Sequence, residues 1–354
     1  MNAAASSPAQ PRIVSVIVPC RNEKAHIAAF CEAVTHQELP AGWQLQVLIA
    51  DGLSDDGTRE LLQGWAQRDA RLQLIDNPAR IVSTGLNAAI AQANGEVIVR
   101  WDVHTRYASH YIARCIEQLE QTGADNVGGP WRAQAASPQD GTAQAIAAAF
   151  QSRWVAGGAL SRDVRYSGWV DTVYLGAWPR TTFERFGGFD ETLVRNQDDE
   201  HNLRITRGGG RIWQSAAIES VYEPRSSITA LFKQYLQYGY WKPFVMRKHG
   251  QPAALRHLVP GVFVAMLALS VLPAAYGQAA LLEWLLALYG VAVLAASALI
   301  VASHQPALPW PAAWRLPLVI AAYHLGYGSG SLWGWFDVLR GQKTGGHGLN
   351  RLTR

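Results

Sequence analysis

Short apolar runs and helix-like stretches alternate through the first part of the chain. Extended segments are expected at 13–18, 45–50, 72–75, 97–101 and 126–128, rich in Val, Ile and Leu and bounded by Gly, Asn, Asp or Pro. A helix-like stretch begins near Ala25, and residues 51–58 read as a turn into the next helix. Ser83 is placed to cap a helix running to about Ala93, and Ser109 one running to about Glu120. Strands that alternate with helices pair most simply through crossovers, so the pattern predicts an α/β domain built on a mainly parallel sheet.

The pattern changes after residue 223. Two adjacent apolar runs, 258–276 and 280–303, are long enough to cross a hydrocarbon layer that needs ~20 helical residues. Buried helices of a soluble core are the alternative, but adjacency and scarcity of charge favour transmembrane helices. A third stretch, 316–339, carries Pro317 and the run Gly326-Tyr-Gly-Ser-Gly330, which leaves spanning, re-entry and an interfacial position all open. Ahead of these runs, Lys233, Lys242, Arg247, Lys248 and Arg256 stand with Tyr235, Tyr238, Tyr240 and Trp241 and without a carboxylate between 225 and 257. Such a flank suits a cytoplasmic membrane surface and membrane lipid. The expected organisation is a flexible tail (1–11), an α/β domain (12–223), a basic aromatic interface segment (224–257), a transmembrane region (258–339) and a basic C-terminal tail (340–354).

Charge sharpens that division. The net charge of +4 combines a 224–354 region of eleven basic and two acidic residues with a remainder of 20 basic and 25 acidic ones. No zinc-finger spacing or basic recognition helix accompanies the positive tail, so no nucleic acid is expected as a partner. Arg340, Lys343, Arg351 and Arg354 favour the cytoplasmic side, which would fit an even number of crossings. The first residues contain neither a cationic nor an apolar signal region, placing the α/β domain in the cytoplasm. Cys20, Cys31 and Cys115 lack metal-ligand spacing and suit a reducing compartment.

The chemistry gathers where strands end. After the run at 97–101, Asp102-Val-His104 can present a carboxylate and an imidazole to one side of an extended segment, and hence to one metal ion. Ligands of open α/β sheets collect beyond the carboxyl ends of the strands. The first strand opens there into Pro19-Cys-Arg-Asn-Glu23 and the second into Asp51. Trp178 and Arg180 offer an indole face that can pack on a ring and a guanidinium that can pair with phosphate; a core role for the Trp is the alternative. The acidic run Gln197-Asp-Asp-Glu200 also suits the first turn of a helix.

Taken in order, Pro19-x-Arg21-Asn22-Glu23, Asp51-Gly-x-Ser-Asp-Asp-Gly-Thr58, Asp102-x-His104, Gly176-Ala-Trp-Pro-Arg180, Gly187-Gly-Phe-Asp190, Gln197-Asp198-Asp199-Glu200 and Arg204 resemble the signature series of the family-2 inverting glycosyltransferases. The similarity covers about the first two-thirds of the chain and is greatest to the bacterial exopolysaccharide, succinoglycan-biosynthesis type. His104 stands where an Asp is usual, Gln197 where a Glu precedes the base, and Leu53 where a small polar residue is customary.

The resemblance implies a GT-A nucleotide-sugar-binding fold at the bacterial inner membrane. It implies Asp198 as general base, Pro19, Asn22, Glu23, Asp51 and Asp102 around the nucleotide sugar, and Asp102 with His104 on Mn2+ or Mg2+. Asp199 joins Trp178 and Arg180 on the acceptor side. Arg80 and Arg100 are further diphosphate candidates outside this set. The expected reaction moves a sugar, glucose in β-linkage, from a UDP-sugar to a polyprenyl-diphosphate-linked saccharide. A processive synthase would carry Gln-x-x-Arg-Trp near the membrane, which Gln234-Tyr-Leu-Gln-Tyr238 lacks. A nucleotidylyltransferase would need a glycine-rich basic loop after the first strand, and a scaffold or transporter would not need the acidic series.

Overall fold

The computed structural model describes residues 11–252, 254–342 and 344–345. The tail expected over 1–11 falls outside the described residues except for Pro11, as do Lys343, Arg351 and Arg354 of the C-terminal tail. The strands are β1 (Arg12–Cys20), β2 (Trp43–Asp51), β3 (Leu72–Asp76), β4 (Val97–Arg100), β5 (Arg106–Tyr107), β6 (Asn126–Gly129), β7 (Arg132–Ala133), β8 (Gly168–Val170), β9 (Tyr174–Pro179), β10 (Ile212–Gln214) and β11 (Ser220–Tyr222). The helices of the first part are α1 (Ile27–Thr35), α2 (Thr58–Arg68), α3 (Val82–Gln92), α4 (Tyr111–Thr122), α5 (Gly141–Gln151), α6 (Arg180–Phe186) and α7 (Gln197–Arg207). There follow α8 (Ile228–His249), α9 (Val259–Ala275), α10 (Ala280–Ser303), α11 (Trp310–Ala313) and α12 (Leu316–Leu339).

Eight strands form one sheet in the order β3-β2-β1-β4-β9-β6-β10-β8, and β5, β11 and β7 make a small second sheet. Strand β1 shows why the core lies on both faces. Its Val14, Val16 and Val18 pack with Phe30 of α1, Leu62 of α2 and Ile112 of α4, whereas Ile17 points the other way, to Leu86 of α3, Phe183 of α6 and Ile205 of α7. Both faces of the parallel strands are therefore covered, as near-continuous apolar runs require.

The sheet is mixed with mostly parallel strands, as expected; β9 runs antiparallel between β4 and β6, and β8 antiparallel to β10. Two expected caps differ. Ser83 lies inside α3, where its hydroxyl donates to the Leu193 carbonyl, and Ser109 precedes the cap of α4 and donates to Glu38 Oε1 at 2.5 Å. Both hydroxyls are engaged by neighbouring segments, leaving the helix starts without side-chain caps.

The segment expected as a basic membrane flank is chiefly α8, a 22-residue helix clamped to the α/β domain. Lys242 Nζ lies 2.6 Å from Asp199 Oδ2, and Lys248 Nζ reaches Asp190 at 2.5 Å and Glu200 at 2.9 Å. Tyr235, Tyr240 and Trp241, expected as interfacial aromatics, are buried. The apolar partners they find are in α5, α12 and the loop before α7.

The stretch 316–339 is one unbroken helix, α12. Its glycines are contact points rather than interruptions: a Cβ on Gly330 would fall 2.0 Å from the Leu236 carbonyl, and one on Gly334 2.2 Å from that of Tyr240. Backbone therefore meets backbone where α12 crosses α8, as small residues allow. By contrast α9 and α10 turn large apolar side chains outward, including Leu269, Leu272, Leu288 and Leu294. Leu255–Ala275 and Ala280–Ser303, with mean hydropathy 2.2 and 2.5, are the two helical segments among the described residues long and apolar enough to cross a membrane.

Candidate functional site

The carboxyl ends of β1, β2 and β4 open onto one large cavity of about 1700 Å³. Strand β1 delivers Pro19, Arg21, Asn22 and Glu23 to its wall, β4 delivers Arg100, Asp102 and His104, and the start of α7 supplies Asp198 and Asp199. Arg100 ends β4 and shares this wall with Asp102, two residues on; the extended segment expected over 102–104 is instead a turn, closed by the Thr105 N–H on the Asp102 carbonyl, and it is this turn that brings His104 to the cavity. The spacing of Arg100 and Asp102 was available in the sequence and would have added Arg100 to the site.

The loop after β1 is stapled to the loop after β2. Asn22 adopts a left-handed backbone, φ 54°, which asparagine tolerates. Its side-chain amide donates to Asp55 Oδ1 at 2.9 Å, and the Asp55 N–H donates to Asn22 Oδ1 at 3.0 Å. The Asn22 N–H donates to Ser54 Oγ, and the Glu23 N–H to Thr58 Oγ1. These bonds explain the pairing of the two motifs: each loop supplies the polar partners that the other's backbone needs.

Asp51 has a different position from the one expected. Its carboxylate is fully buried, accepts from Ser54 Oγ at 2.5 Å and pairs with Arg59 at 3.1 Å. Gly52, not Asp51, faces the cavity. Asp51 thus shapes the loop that borders the cavity.

Trp178 and Arg180 move away from the acceptor side for a topological reason. Strand β9 runs antiparallel to β4, so only its first residues reach the cavity rim; Ile98 pairs with Trp178 and Val97 with Pro179. Trp178 is buried against Phe183 and Phe189, and the Arg180 guanidinium donates to the carbonyls of Gly95 and Ala93 at the opposite end of β4. Tyr174, at the start of β9, takes the rim position instead and joins Trp131 and Tyr222 in an aromatic wall.

At the centre, Arg100 is nearly fully buried and ties the two acidic groups together. Nη2 lies 3.2 Å from Asp102 Oδ1, and Nη1 lies 4.0 Å from Asp198 Oδ2. Asp198 keeps 39% of its side chain open to the cavity, yet protein surrounds the cavity on several sides. Burial, and then the neighbouring Asp199 charge, raise its carboxyl above the ordinary range against the opposing pull of Arg100. Asp199 shifts the other way: burial would raise it, but Lys242 above all holds it below the usual carboxylate range.

His104 Nδ1 lies 3.8 Å from Glu23 Oε1, and both residues share the wall with Asp102. No group of three His, Cys, Asp or Glu side chains converges among the described residues in a way that would hold a metal by itself. One carboxylate and one imidazole are nevertheless a fitting protein contribution to a hard divalent ion whose other ligands come from a diphosphate. Glu200, in contrast, is engaged with Arg204, Lys248 and His249 behind the first turn of α7.

Residues 15–158 match the model of glycosyl transferase family 2. Over 273 residues the chain is 33% identical to the succinoglycan biosynthesis protein ExoA of Rhizobium meliloti (strain 1021), covering 76% of this chain and 79% of that protein. It is 24% identical over 243 residues, 66% of this chain and 74% of the relative, to a dolichyl N-acetyl-alpha-D-glucosaminyl phosphate 3-beta-D-2,3-diacetamido-2,3-dideoxy-beta-D-glucuronosyltransferase of Methanococcus voltae. Among solved structures, the mannosyltransferase PcManGT of Pyrobaculum calidifontis, in complex with GDP-Man and Mn2+, shares the fold with a TM-score of 0.54 at 20% identity, covering 91% of this chain and 89% of that one.

Proposed function

The chain belongs to glycosyl transferase family 2, and from that premise we propose that it transfers a sugar, with inversion, from a nucleotide sugar to a lipid-linked saccharide in exopolysaccharide assembly. The observation that carries this reading is the convergence of Asp102, His104 and Asp198 on one cavity from two different elements. The donor is a UDP-sugar, with glucose transferred in β-linkage, and the acceptor a polyprenyl-diphosphate-linked saccharide at the cytoplasmic face of the inner membrane.

In this reading Pro19, Asn22 and Glu23 shape the donor end, and Asp51 braces the loop beside it. Asp198 accepts the proton of an acceptor hydroxyl as that oxygen attacks the anomeric carbon opposite the departing diphosphate. One displacement inverts the configuration and needs no enzyme nucleophile. The raised Asp198 carboxyl makes it a stronger proton acceptor than an ordinary aspartate, and the Asp199 N–H donates to its Oδ1 at 2.9 Å. When bound to Asp102, His104 and the donor diphosphate, Mn2+ or Mg2+ would neutralise charge developing on the leaving group. Asp199 is the acceptor-side carboxylate, held by Lys242.

The test is to offer purified full-length protein several nucleotide sugars with a membrane-lipid extract, and to identify the product by mass spectrometry and its anomeric configuration by NMR. A labelled glycolipid with inverted configuration is expected. Retention of configuration would reject the single displacement, and absence of transfer from every donor would reject the reading.

A further inference from the structure

The cavity does not end at the acceptor side of Asp198. It continues between the membrane helices, where Val262, Phe263 and Met266 of α9 and Leu285, Leu288 and Tyr289 of α10 form its wall. Its volume of about 1700 Å³ exceeds the ~300–1,000 Å³ usual for a single small-molecule ligand, so there is room for a second substrate. Val262, Met266 and Leu288 of that wall are 54%, 42% and 69% exposed. Large apolar wall residues left this accessible show that the arm between α9 and α10 is open rather than filled by packing.

A polar neck separates this apolar arm from the catalytic rim. Lys242 of α8, 4% exposed, sits there with Arg256, His257 and Tyr327 of α12. His257 Nδ1 and the Tyr327 hydroxyl are buried atoms with no hydrogen-bond partner, a costly state unless a ligand meets them. Along the whole wall, Arg and Lys outnumber carboxylates eight to four, which suits two anionic groups rather than one.

We propose that this arm is the seat of the acceptor lipid: a polyprenyl chain enters between α9 and α10, and its phosphate or diphosphate head is held at the neck by Lys242, Arg256, His257 and Tyr327. This inference rests on the glycosyl-transfer reading and adds the lipid's place to it. Lys242 links the head to the chemistry, because its other partner is Asp199 beside the base. The occupant is a polyprenyl phosphate rather than free phosphate, since the neck opens directly into an apolar slot that inorganic phosphate would leave unfilled.

The test uses full-length protein in phosphatidylcholine nanodiscs and measures retention of labelled polyprenyl phosphate, with nucleoside diphosphate affinity measured in the same samples. Wild-type protein should retain polyprenyl phosphate in preference to phosphatidylglycerol, and neither inorganic phosphate nor a prenyl alcohol should displace it at equal concentration. Met266→Trp and Leu288→Trp, which enlarge residues of the slot wall on two helices, should each weaken retention by about tenfold, as expected for losing burial of a few methylenes. Arg256→Gln should weaken it as well, and all three should keep nucleoside diphosphate affinity. Equal retention of phosphatidylglycerol, full displacement by inorganic phosphate, or unchanged retention in both Trp variants would overturn the proposal. Loss of nucleoside diphosphate binding by wild-type protein would instead overturn the glycosyl-transfer reading beneath it.

Discussion

Arg100 approaches Asp198 without bonding to it: Nη1 stops 4.0 Å from Asp198 Oδ2 and has no hydrogen-bond partner, while Nη2 stands 3.2 Å from Asp102. A cation at that distance stabilises the ionised aspartate and so lowers its carboxyl, opposing burial and Asp199. Replacing it by Arg100→Met should move the acid limb of the transfer rate to higher pH, because Asp198 then holds its proton longer. A pH–rate profile under single-turnover conditions decides this, and an unmoved limb would remove Arg100 from the account of the base.

The converse holds for the neighbouring carboxylate. Asp199→Asn removes a like charge and leaves Lys242 without its carboxylate, and both changes favour ionised Asp198. The acid limb should therefore move to lower pH. Asp198→Asn should leave no such limb to measure, with transfer reduced by ~10²–10⁴-fold and nucleotide-sugar affinity retained by calorimetry. Loss of donor affinity in that variant would recast Asp198 as a structural residue.

Chelator should abolish transfer, and Mn2+ or Mg2+ should restore it, if Asp102 and His104 complete their ligand set with the donor diphosphate. Asp102→Asn should remove most activity. His104→Asp restores the commoner acidic pair and should retain part of it with an altered preference between the two ions. Full turnover in metal-free buffer would contradict this arrangement.

Leu53 occupies a left-handed backbone position, φ 55°, in the loop that faces the donor end. A Cβ-bearing residue there costs roughly 1–2 kcal/mol, and asparagine bears it better than leucine. Leu53→Asn should raise stability by up to about 1 kcal/mol in thermal unfolding. A lower melting temperature would mean that the leucine side chain has a packing role greater than its backbone cost.

Much of the site was legible because it depends on local order. The first strands, their exits at Pro19 and Asp102, and the acidic start of α7 follow from apolar runs broken by polar residues, and the structure brings Glu23, Asp102, His104 and Asp198 to one cavity. What local order does not carry is the direction of a strand. Trp178 and Arg180 are expected on the acceptor side from their side-chain chemistry and the family motif, whereas β9, running against β4, carries them to the opposite end. Nor does it carry partners distant in sequence: Asp51 meets Arg59, and Lys242 meets Asp199 across 43 positions. Tyr235 and Trp241 read as interfacial for the same reason, since nothing nearby announces the helix that covers them.

The backbone contact between α12 and α8 sets a height. Where Gly330 meets Leu236 and Gly334 meets Tyr240, no side chain stands between the helices to compress or swing aside. Helix α8 carries Lys242 to Asp199, so a side-chain ion pair ties the crossing to the carboxylate next to the base. Substitutions at exposed positions of α12, such as Leu318 or Phe336, leave that crossing as it is. A side chain grafted onto Gly330 would act as a wedge between α12 and α8 and shift Lys242 relative to Asp199.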